Sequence, residues 1–308
     1  MAGAVIWALV ILAGLIAVPL TVEAMRSPMT EDRQDKAPGQ IALLSQGRTH
    51  YQWLGPERGP VAVCIHGLTT PSFVWRGLAR GLALMGFRVL VYDHYGRGYS
   101  DTASGRQDAA FFLTQYTDLL MHEDVTEPVT LLGYSMGGAI AAHVAANQPD
   151  RVKQLILLAP AGMQALTNRQ LKLTRDLPLI GDWLFLATYP FILRKSIKAE
   201  AGTPGSVENI TALQQAETDR RGYFPAVLSS LRGVLRDPLP EQHAAIAAAN
   251  TPVLAIWGAD DDVIALAGKD VLAGWNPDAL HTVIDGAGHG LTYTHTDQVL
   301  EAIRASRS

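Results

Sequence analysis

Short apolar runs alternate with segments of helical periodicity along most of the chain. The apolar runs predict strands at Val61–Ile65, Arg88–Tyr92, Val129–Leu132, Gln154–Ala159, Pro252–Trp257 and Leu280–Ile284. The intervening patterns predict helices at Ser72–Met85, Asp108–Glu123, Ala139–Ala146, Glu241–Ala249, Leu266–Gly274 and Thr292–Ala305. Because strands that alternate with helices form βαβ units, we expect an α/β fold with a mostly parallel central sheet flanked by helices.

Two parts of the chain depart from this alternation. Ile41–Leu44 and Thr49–Leu54 predict a β-hairpin that precedes it. Between residues 162 and 240 the strand patterns stop and irregular apolar patches replace them. We interpret this part as a helical cap, or lid, inserted before the C-terminal strands and lying over the sheet. The α/β core then consists of residues 41–161 and 241–308.

The N-terminus is almost uniformly apolar, with no charged side chain from Met1 to Val22. A helix needs roughly 20 such residues to cross a bilayer, so residues 1–24 are predicted to form a transmembrane anchor. A cleaved signal peptide is the alternative, since Val22–Ala24 resembles a small-residue cleavage site, although no Lys or Arg precedes the run. The polar residues 25–40 are predicted to be a linker.

Basic residues near the apolar segment predict its orientation. None precedes the segment, whereas Arg26, Arg33 and Lys36 follow it closely. Because positive flanks tend to stay inside, we expect the remainder of the chain on the cytoplasmic side. If the segment is instead cleaved as a signal peptide, the mature protein is expected to be periplasmic or secreted.

Composition excludes several classes of partner. The 308 residues carry a formal net charge of −4 and no Lys/Arg-rich run, so no nucleic-acid partner is expected.

The one cysteine, Cys64, lies in an apolar run and is predicted to be a core residue. No His or Cys pair has metal-ligand spacing, so we expect neither a metal nor a cofactor, and His243, His281 and His295 are predicted to lie at the surface. The oligomeric state stays open.

The stretch Gly133–Gly137 has the pattern Gly-x-Ser-x-Gly between a predicted strand and an Ala-rich helix. A strand, a sharp turn with Ser at its apex and a helix are the context in which this pattern marks a nucleophile, here Ser135. Side chains at the two glycines would collide with the neighbouring strand or helix. A Gly-rich turn without chemistry remains the simpler alternative.

A serine nucleophile needs a base and a carboxylate that orients the base. Asp260–Asp262 follow one C-terminal strand, and His289 follows the next. Both loops lie at the carboxyl ends of predicted parallel strands, where open α/β sheets place their sites. The chain order Ser, Asp, His is that of the nucleophile-elbow fold and differs from the order in chymotrypsin-like and subtilisin-like proteases.

Together with His66–Gly67 and the segment Asp93–Ser100, these motifs resemble those of α/β-hydrolase-fold serine hydrolases over about residues 41–305. The resemblance implies that Asp261, which lies three residues after a loop glycine, is the acid of a triad with Ser135 and His289. Asp260 and Asp262 would then only flank it.

The same resemblance implies an oxyanion hole formed by the backbone amides of Leu68 and Met136. His66 is then expected to be structural and to position the loop that carries Leu68. Asp93–Ser100 is expected to be a Gly-rich turn after a strand.

The nucleophile separates this chain from some relatives of that family. Haloalkane dehalogenases and epoxide hydrolases carry Asp at the elbow, and prolyl aminopeptidases usually have Trp where this chain has Met136. The resemblance therefore implies an esterase or monoacylglycerol-lipase-like enzyme with an acyl-serine intermediate. Carbon–carbon bond hydrolases also use Ser and remain an alternative, although they usually have a Gly-rich segment where this chain has Leu68–Pro71. A non-catalytic binding protein is the remaining alternative.

The predicted lid indicates what the substrate contains. Its aromatic residues are Trp183, Phe185, Tyr189 and Phe191. We expect these side chains to favour a small ester with a hydrophobic acyl group. The predicted partners are therefore such a substrate and, through the N-terminal segment, a membrane.

Overall fold

An eight-stranded sheet forms the centre of the computed structural model, which describes residues 1–164 and 169–306. The strands are β1 Gln40–Leu44, β2 Gly47–Leu54, β3 Val61–Ile65, β4 Arg88–Tyr92, β5 Val129–Tyr134, β6 Val152–Leu158, β7 Val253–Gly258 and β8 Leu280–Ile284. Their order is β1-β2-β4-β3-β5-β6-β7-β8. The pairs β1–β2 and β2–β4 are antiparallel and the other pairs are parallel, which confirms the predicted hairpin and mostly parallel sheet.

Helices flank the sheet and form the lid. They are α1 Ala2–Ala24, α2 Glu31–Asp35, α3 Arg76–Leu84, α4 Ala109–His122, α5 Met136–Asn147, α6 Arg169–Asp176, α7 Ile180–Ala199, α8 Ile210–Glu217, α9 Tyr223–Arg232, α10 Pro240–Ala248, α11 Gly268–Trp275, α12 Leu291–Thr294 and α13 Thr296–Ala305. The start of α4 illustrates the local signals, because the Asp108 carboxylate caps the helix by accepting from the Phe111 amide at 3.2 Å.

Two predicted helices differ in detail from the observed ones. The first turn of the predicted helix Ser72–Met85 is a 3₁₀ turn. The predicted helix Thr292–Ala305 is divided into α12 and α13 at His295, whose φ of −125° is not helical. Its ring Nδ1 lies 2.9 Å from the hydroxyl of Thr294, so a local side-chain contact accompanies the break.

Each face of the sheet is covered by an apolar layer. In β3, Val63 and Ile65 pack into the layer with α4 and α5, whereas Ala62 and Cys64 pack into the layer with α3 and α13. This follows from the alternation of side chains along a strand. Burial raises the pKa of the Cys64 thiol, which is a core residue as predicted.

The lid has an apolar centre of its own. In the described part of residues 162–240, helices α6 to α9 are the regular elements between β6 and α10, as expected for a helical insertion; residues 165–168 lie outside the described residues. Phe185 stacks on Tyr189 with ring centres 4.4 Å apart, and both pack against Phe224 from α9. These contacts give the lid a fixed shape above the carboxyl ends of the strands.

The N-terminal helix α1 stands largely outside the rest of the molecule. It is 23 residues long with a mean hydropathy of 2.6, and it is long and apolar enough to cross a membrane or to act as a signal sequence. It contacts α7, where the indole nitrogen of Trp183 donates to the carbonyl of Ile16 at 3.0 Å. At its end, the Glu23 carboxylate accepts from the amide of Gly222 at 2.7 Å.

Residues 25–40, predicted to be a linker, contain the short helix α2 and lie against the domain. The buried Gln34 side chain donates to the carboxylate of Asp101 at 2.9 Å. The guanidinium of Arg26 donates to the carbonyl of Thr218 in the lid. The polar side chains on which the linker prediction rests thus form hydrogen bonds with the core and with the lid.

Candidate active site

Ser135 lies at the junction of β5 and α5 in a strained backbone conformation, with φ 54° and ψ −118°. Glycine is required on both sides of it. A Cβ at Gly133 would overlap the carbonyl of Gly137, and a Cβ at Gly137 would overlap the carbonyl of Ile65. The turn is held by the Ser135 carbonyl, which accepts from the amides of Gly138 at 2.9 Å and Ala161 at 3.0 Å.

A continuous chain of hydrogen-bond distances links the three residues of the predicted triad. Nε2 of His289 lies 3.0 Å from Oγ of Ser135, and Nδ1 of His289 lies 2.9 Å from Oδ2 of Asp261. Since the carboxylate accepts, Nδ1 carries the hydrogen and Nε2 is free to accept from the serine hydroxyl.

The acid is held in place by its own loop. Oδ1 of Asp261 accepts from the amides of Val263 and Ile264, each at 2.8 Å, and the residue is buried. Asp260 and Asp262 are exposed at the mouth of the cavity. Of the three adjacent aspartates, Asp261 is therefore the one that the structure brings to His289.

The histidine ring is supported by an aromatic neighbour. The rings of Tyr134 and His289 lie 5.3 Å apart, and the Tyr134 hydroxyl donates to the His289 carbonyl at 2.9 Å. Tyr134 is the last residue of β5 and directly precedes Ser135. The same strand end thus orients both Ser135 and His289.

The two residues expected to supply oxyanion amides lie beside Ser135. Met136 is the first residue of α5, and the first amides of a helix have no partner within it. Leu68 follows Gly67, and a Cβ added to Gly67 would lie 3.3 Å from the Cβ of Ser135. Leu68 and Gly67 both line the cavity that contains Ser135.

His66 has a partner on each ring nitrogen. Nδ1 lies 2.8 Å from the carbonyl of Gly67, and Nε2 accepts from the amide of His94 at 2.9 Å. Burial lowers the pKa of His66 to about 4, so the ring is neutral at neutral pH. These contacts fit the expected structural position, because they join the loop of Leu68 to the loop after β4.

The segment Asp93–Ser100 is more than a Gly-rich turn. Oδ1 of Asp93 accepts from the Ser72 amide at 2.8 Å, and Oδ2 accepts from the Tyr99 amide at 3.0 Å and pairs with Nδ1 of His50 at 2.7 Å. Burial opposes ionisation of Asp93, but His50 and these amides outweigh it and hold its pKa well below the usual range. The carboxylate is therefore a fixed anion beneath the site.

Arg97 in the same segment is fully buried and contacts both the core and the lid. Its Nε donates to the carbonyl of Leu68 at 3.1 Å, and NH2 donates to the hydroxyl of Ser230 in α9 at 2.9 Å. Sequence reasoning missed this role and the His50–Asp93 pair. The available signal was the presence of Asp93 and Arg97 in the loop directly after a buried strand.

Ser135 and His289 open into a cavity of about 930 Å³ between the core and the lid. Helix α7 contributes a face at helical spacing, formed by Tyr189, Ile192, Leu193, Ser196 and Ile197. Carboxylates also line the cavity, from Glu200, Asp237, Asp260 and Asp262.

The lid aromatics are placed differently from what the sequence favoured. Tyr189 lines the cavity, but Phe185 lies in the apolar centre of the lid and Phe191 is exposed. Trp183 contacts α1 instead. The helical period explains the difference, because Trp183 and Phe191 lie on other faces of α7 than the stacked pair Phe185 and Tyr189.

The prediction that His243 lies at the surface is wrong. The residue is fully buried, and its ring stacks on Trp275 with ring centres 6.1 Å apart. It lies three residues before the buried Ile246, so both share the inner face of α10. Burial lowers the pKa of His243 to about 4. Within the part of the chain that the structure describes, no group of three or more potential metal ligands occurs.

Comparisons with known proteins agree with this fold. A family model for the alpha/beta hydrolase fold matches residues 60–296. A pimeloyl-[acyl-carrier protein] methyl ester esterase of Vibrio campbellii is 27% identical over 217 residues, which are 70% of this chain and 82% of the relative. A haloalkane dehalogenase of Mycolicibacterium paratuberculosis is 29% identical over 232 residues, which are 70% of this chain and 73% of the relative.

Solved structures share the fold. The enol-lactonase from Burkholderia xenovorans superposes with a TM-score of 0.69 at 18% identity, covering 87% of this chain and 99% of that protein. A membrane phospholipase A superposes with a TM-score of 0.68 at 19% identity, covering 99% of this chain and 98% of that protein. With the family match extending over more than half of its length, this chain belongs to the alpha/beta hydrolase fold family.

Proposed function

We propose that the protein is a serine hydrolase that cleaves carboxylic esters with a hydrophobic acyl group through an acyl-serine intermediate. The observation that carries this proposal is the chain of contacts from Ser135 through His289 to Asp261 at the floor of an open cavity. A nucleophile, a base and an orienting carboxylate in this arrangement are the requirements for acyl transfer.

In the first half of the reaction, Oγ of Ser135 attacks the ester carbonyl carbon while His289 takes its proton. The negative charge that develops on the carbonyl oxygen is stabilised by the amides of Leu68 and Met136. His289 then gives the proton to the departing alkoxide, and the acyl group stays on Ser135. Asp261 stabilises the imidazolium during this step.

In the second half, a water molecule attacks the acyl-serine carbonyl and His289 takes the proton of that water. The tetrahedral intermediate collapses, the carboxylic acid leaves, and His289 returns the proton to Ser135. The ester and one water molecule are consumed, and one alcohol and one carboxylic acid are released.

The cavity supports an uncharged substrate with an apolar portion. Tyr189, Ile192, Leu193 and Ile197 present apolar surface from α7 opposite the catalytic residues. The cavity carboxylates would repel an anionic head group. The esterase named among the relatives acts on a methyl ester, which is compatible with this reaction class. A medium-chain ester or a monoacylglycerol fits these properties.

A fluorophosphonate probe tests the nucleophile. We expect it to label the wild type and not Ser135→Ala, because Ser135 is the serine held by a base. Ser104→Ala is the matched control, since Ser104 is exposed and lies outside the cavity. Labelling of Ser135→Ala at the wild-type level would refute the assignment.

A substrate panel tests the reaction class. The panel contains p-nitrophenyl esters of increasing chain length, a monoacylglycerol and a vinylogous diketone. We expect turnover of esters, with a preference for longer acyl chains that fill the α7 side of the cavity. Turnover of the diketone without any ester would show a carbon–carbon bond hydrolase. Absence of turnover and of probe labelling would favour a non-catalytic binding protein.

We further propose that α1 anchors the protein in a membrane, with the hydrolase domain on the cytoplasmic side. The length and hydropathy of α1 support the anchoring, and the basic residues after it support the orientation. Fractionation should place the full-length chain with membranes, and its C-terminus should resist protease added from outside. A soluble extracytoplasmic chain beginning at Met25 would instead show a cleaved signal peptide.

A further inference from the structure

An apolar apex is exposed at the turn between α6 and α7. It is formed by Leu173, Leu177, Leu179 and Ile180, and Leu179 is 80% exposed and Ile180 68% exposed. Single exposed leucines are ordinary. A group of large apolar side chains at the tip of an insertion instead indicates a surface that binds a membrane or another protein. We call these four residues the lid apex.

The position of the lid apex relative to α1 identifies what covers it. Trp183 near the start of α7 donates to the Ile16 carbonyl in α1. Further along both helices, Arg194 of α7 and Arg26 after α1 donate to the same carbonyl, that of Thr218. The contact at Ile16 and Trp183 thus comes before the shared contact at Thr218 along both helices. This order shows that α1 and α7 lie side by side and run in the same direction.

The lid apex therefore lies beside the apolar part of α1 and away from its charged end. At a rise of about 1.5 Å per residue, Trp183 is roughly 16 Å along α7 from Arg194. Ile16 is about 12 Å along α1 from its last residue, Ala24, by the same rise. The apex precedes Trp183 in the chain, so it lies at the level of Ile16 or beyond. A hydrocarbon core of about 30 Å around α1 would reach this level.

Most charged groups near the lid apex form ion pairs, which a membrane interface tolerates. Arg175 pairs with Asp176 at 2.8 Å, and Asp182 pairs with Arg232 of α9. Lys172 is exposed on a long flexible side chain that can extend towards head groups. Among the side chains that the structure describes here, none of these charges would be left isolated in the hydrocarbon when the apex enters a bilayer.

We propose that the lid apex inserts into the membrane leaflet at the cytoplasmic end of α1, as a second membrane contact besides that helix. This arrangement rests on the proposed anchoring by α1 and does not depend on the ester chemistry. It places α7 between the bilayer and the cavity. Ile192 lines the cavity and is itself exposed, so an apolar substrate has a path along α7 from the lipid to Ser135.

Spin-label accessibility in vesicles tests this contact directly. Full-length Leu179→Cys is labelled with a nitroxide and reconstituted into phosphatidylethanolamine and phosphatidylglycerol vesicles. Leu43→Cys is the matched control, because Leu43 in β1 is also 80% exposed but lies on the core. The native Cys64 is buried, so wild-type protein serves as the labelling blank.

We expect the ratio of oxygen to nickel-complex collision rates to be at least threefold higher at position 179 than at position 43. Ile180→Cys should agree, which guards against misfolding of one variant. Equal ratios in membrane-anchored protein would overturn the proposal while leaving the α1 anchor intact. Spin–spin broadening at position 179 that grows with the protein-to-lipid ratio would overturn it in favour of a second copy. Failure of the chain to associate with vesicles would overturn both.

Discussion

Replacement of Arg97 by methionine should weaken the fold and the proposed catalysis together. The guanidinium is fully buried and joins three parts of the molecule, donating to the Leu68 carbonyl, to Gln107 at 2.5 Å and to Ser230 in α9. Burial lowers its pKa to about 10, so it remains charged at neutral pH. Methionine fills similar volume without any donor, which isolates the hydrogen bonds.

The magnitude follows from which acceptors lose a partner. The Tyr95 carbonyl and the Ser230 hydroxyl each keep a hydrogen bond to Gln107, whereas the guanidinium is the donor that reaches the Leu68 carbonyl. An unsatisfied buried carbonyl costs about 1–3 kcal/mol, and the lost charged hydrogen bonds are offset in part by the desolvation of arginine. We expect a loss of about 2–4 kcal/mol in the free energy of unfolding, or roughly 3–6 °C in Tm for a chain of 308 residues.

Catalysis should fall because Leu68 carries one of the proposed oxyanion amides. Removal of an oxyanion donor costs about 10²–10³ in kcat, and displacement of the Leu68 peptide should cost at least about tenfold. Urea unfolding and ester kinetics measure the two effects. Arg80→Met, at an exposed position on α3, is the control and should stay within about 0.5 kcal/mol of the wild type. An Arg97→Met variant as stable and active as this control would refute the reasoning.

Two further predictions concern single carboxyl groups. Asp261→Asn should lower kcat by about 10⁴, because the wrong tautomer of His289 is then favoured, whereas Asp260→Asn should be mild; the reverse order in ester kinetics would contradict the assignment. Burial raises the pKa of Glu217 from 4.5 to about 7, although Arg220 and the hydrogen bond from the Gly98 amide oppose this shift. Between pH 4.5 and 7, the folded protein therefore keeps a proton on Glu217 that the unfolded chain has released. Wild-type stability should therefore fall as pH rises from 5 to 7, by at most about 1.4 kcal/mol per pH unit, relative to Glu217→Gln in urea unfolding; parallel curves would exclude this linkage.

The sheet and its carboxyl-end loops were predictable because their signals are local. A strand needs only a short apolar run, and the elbow around Ser135 needs two glycines at fixed spacing. Asp261 could be separated from its two neighbours only through a resemblance, because three adjacent aspartates are equivalent in composition. The structure adds the amides of Val263 and Ile264, which fix its carboxylate.

The polar network beneath the site was not predictable in the same way. The partners of Asp93 and Arg97 come from distant strands and from the lid, and no spacing along the chain indicates them. His243 shows a related limit, because a short Ala-rich helix does not reveal which of its faces is buried. Tertiary packing decides both cases.

The contacts of the lid explain how one segment can link α1 to the loop Asp93–Ser100 beneath the candidate site. Arg220, just after α8, donates to the carbonyls of Gly98 at 2.6 Å and of Ser100, and the Gly98 amide donates to Glu217 at 2.9 Å. The same turn pairs with the chain after α1, because the Arg221 amide donates to the Ser27 carbonyl at 2.9 Å. Because Arg220 is buried, water does not compete for its hydrogen bonds. These bonds therefore hold the end of α1, the lid and the loop of Asp93 in one arrangement. If α1 anchors the protein as proposed, the tilt of α1 in the membrane would therefore also set the direction in which the cavity opens.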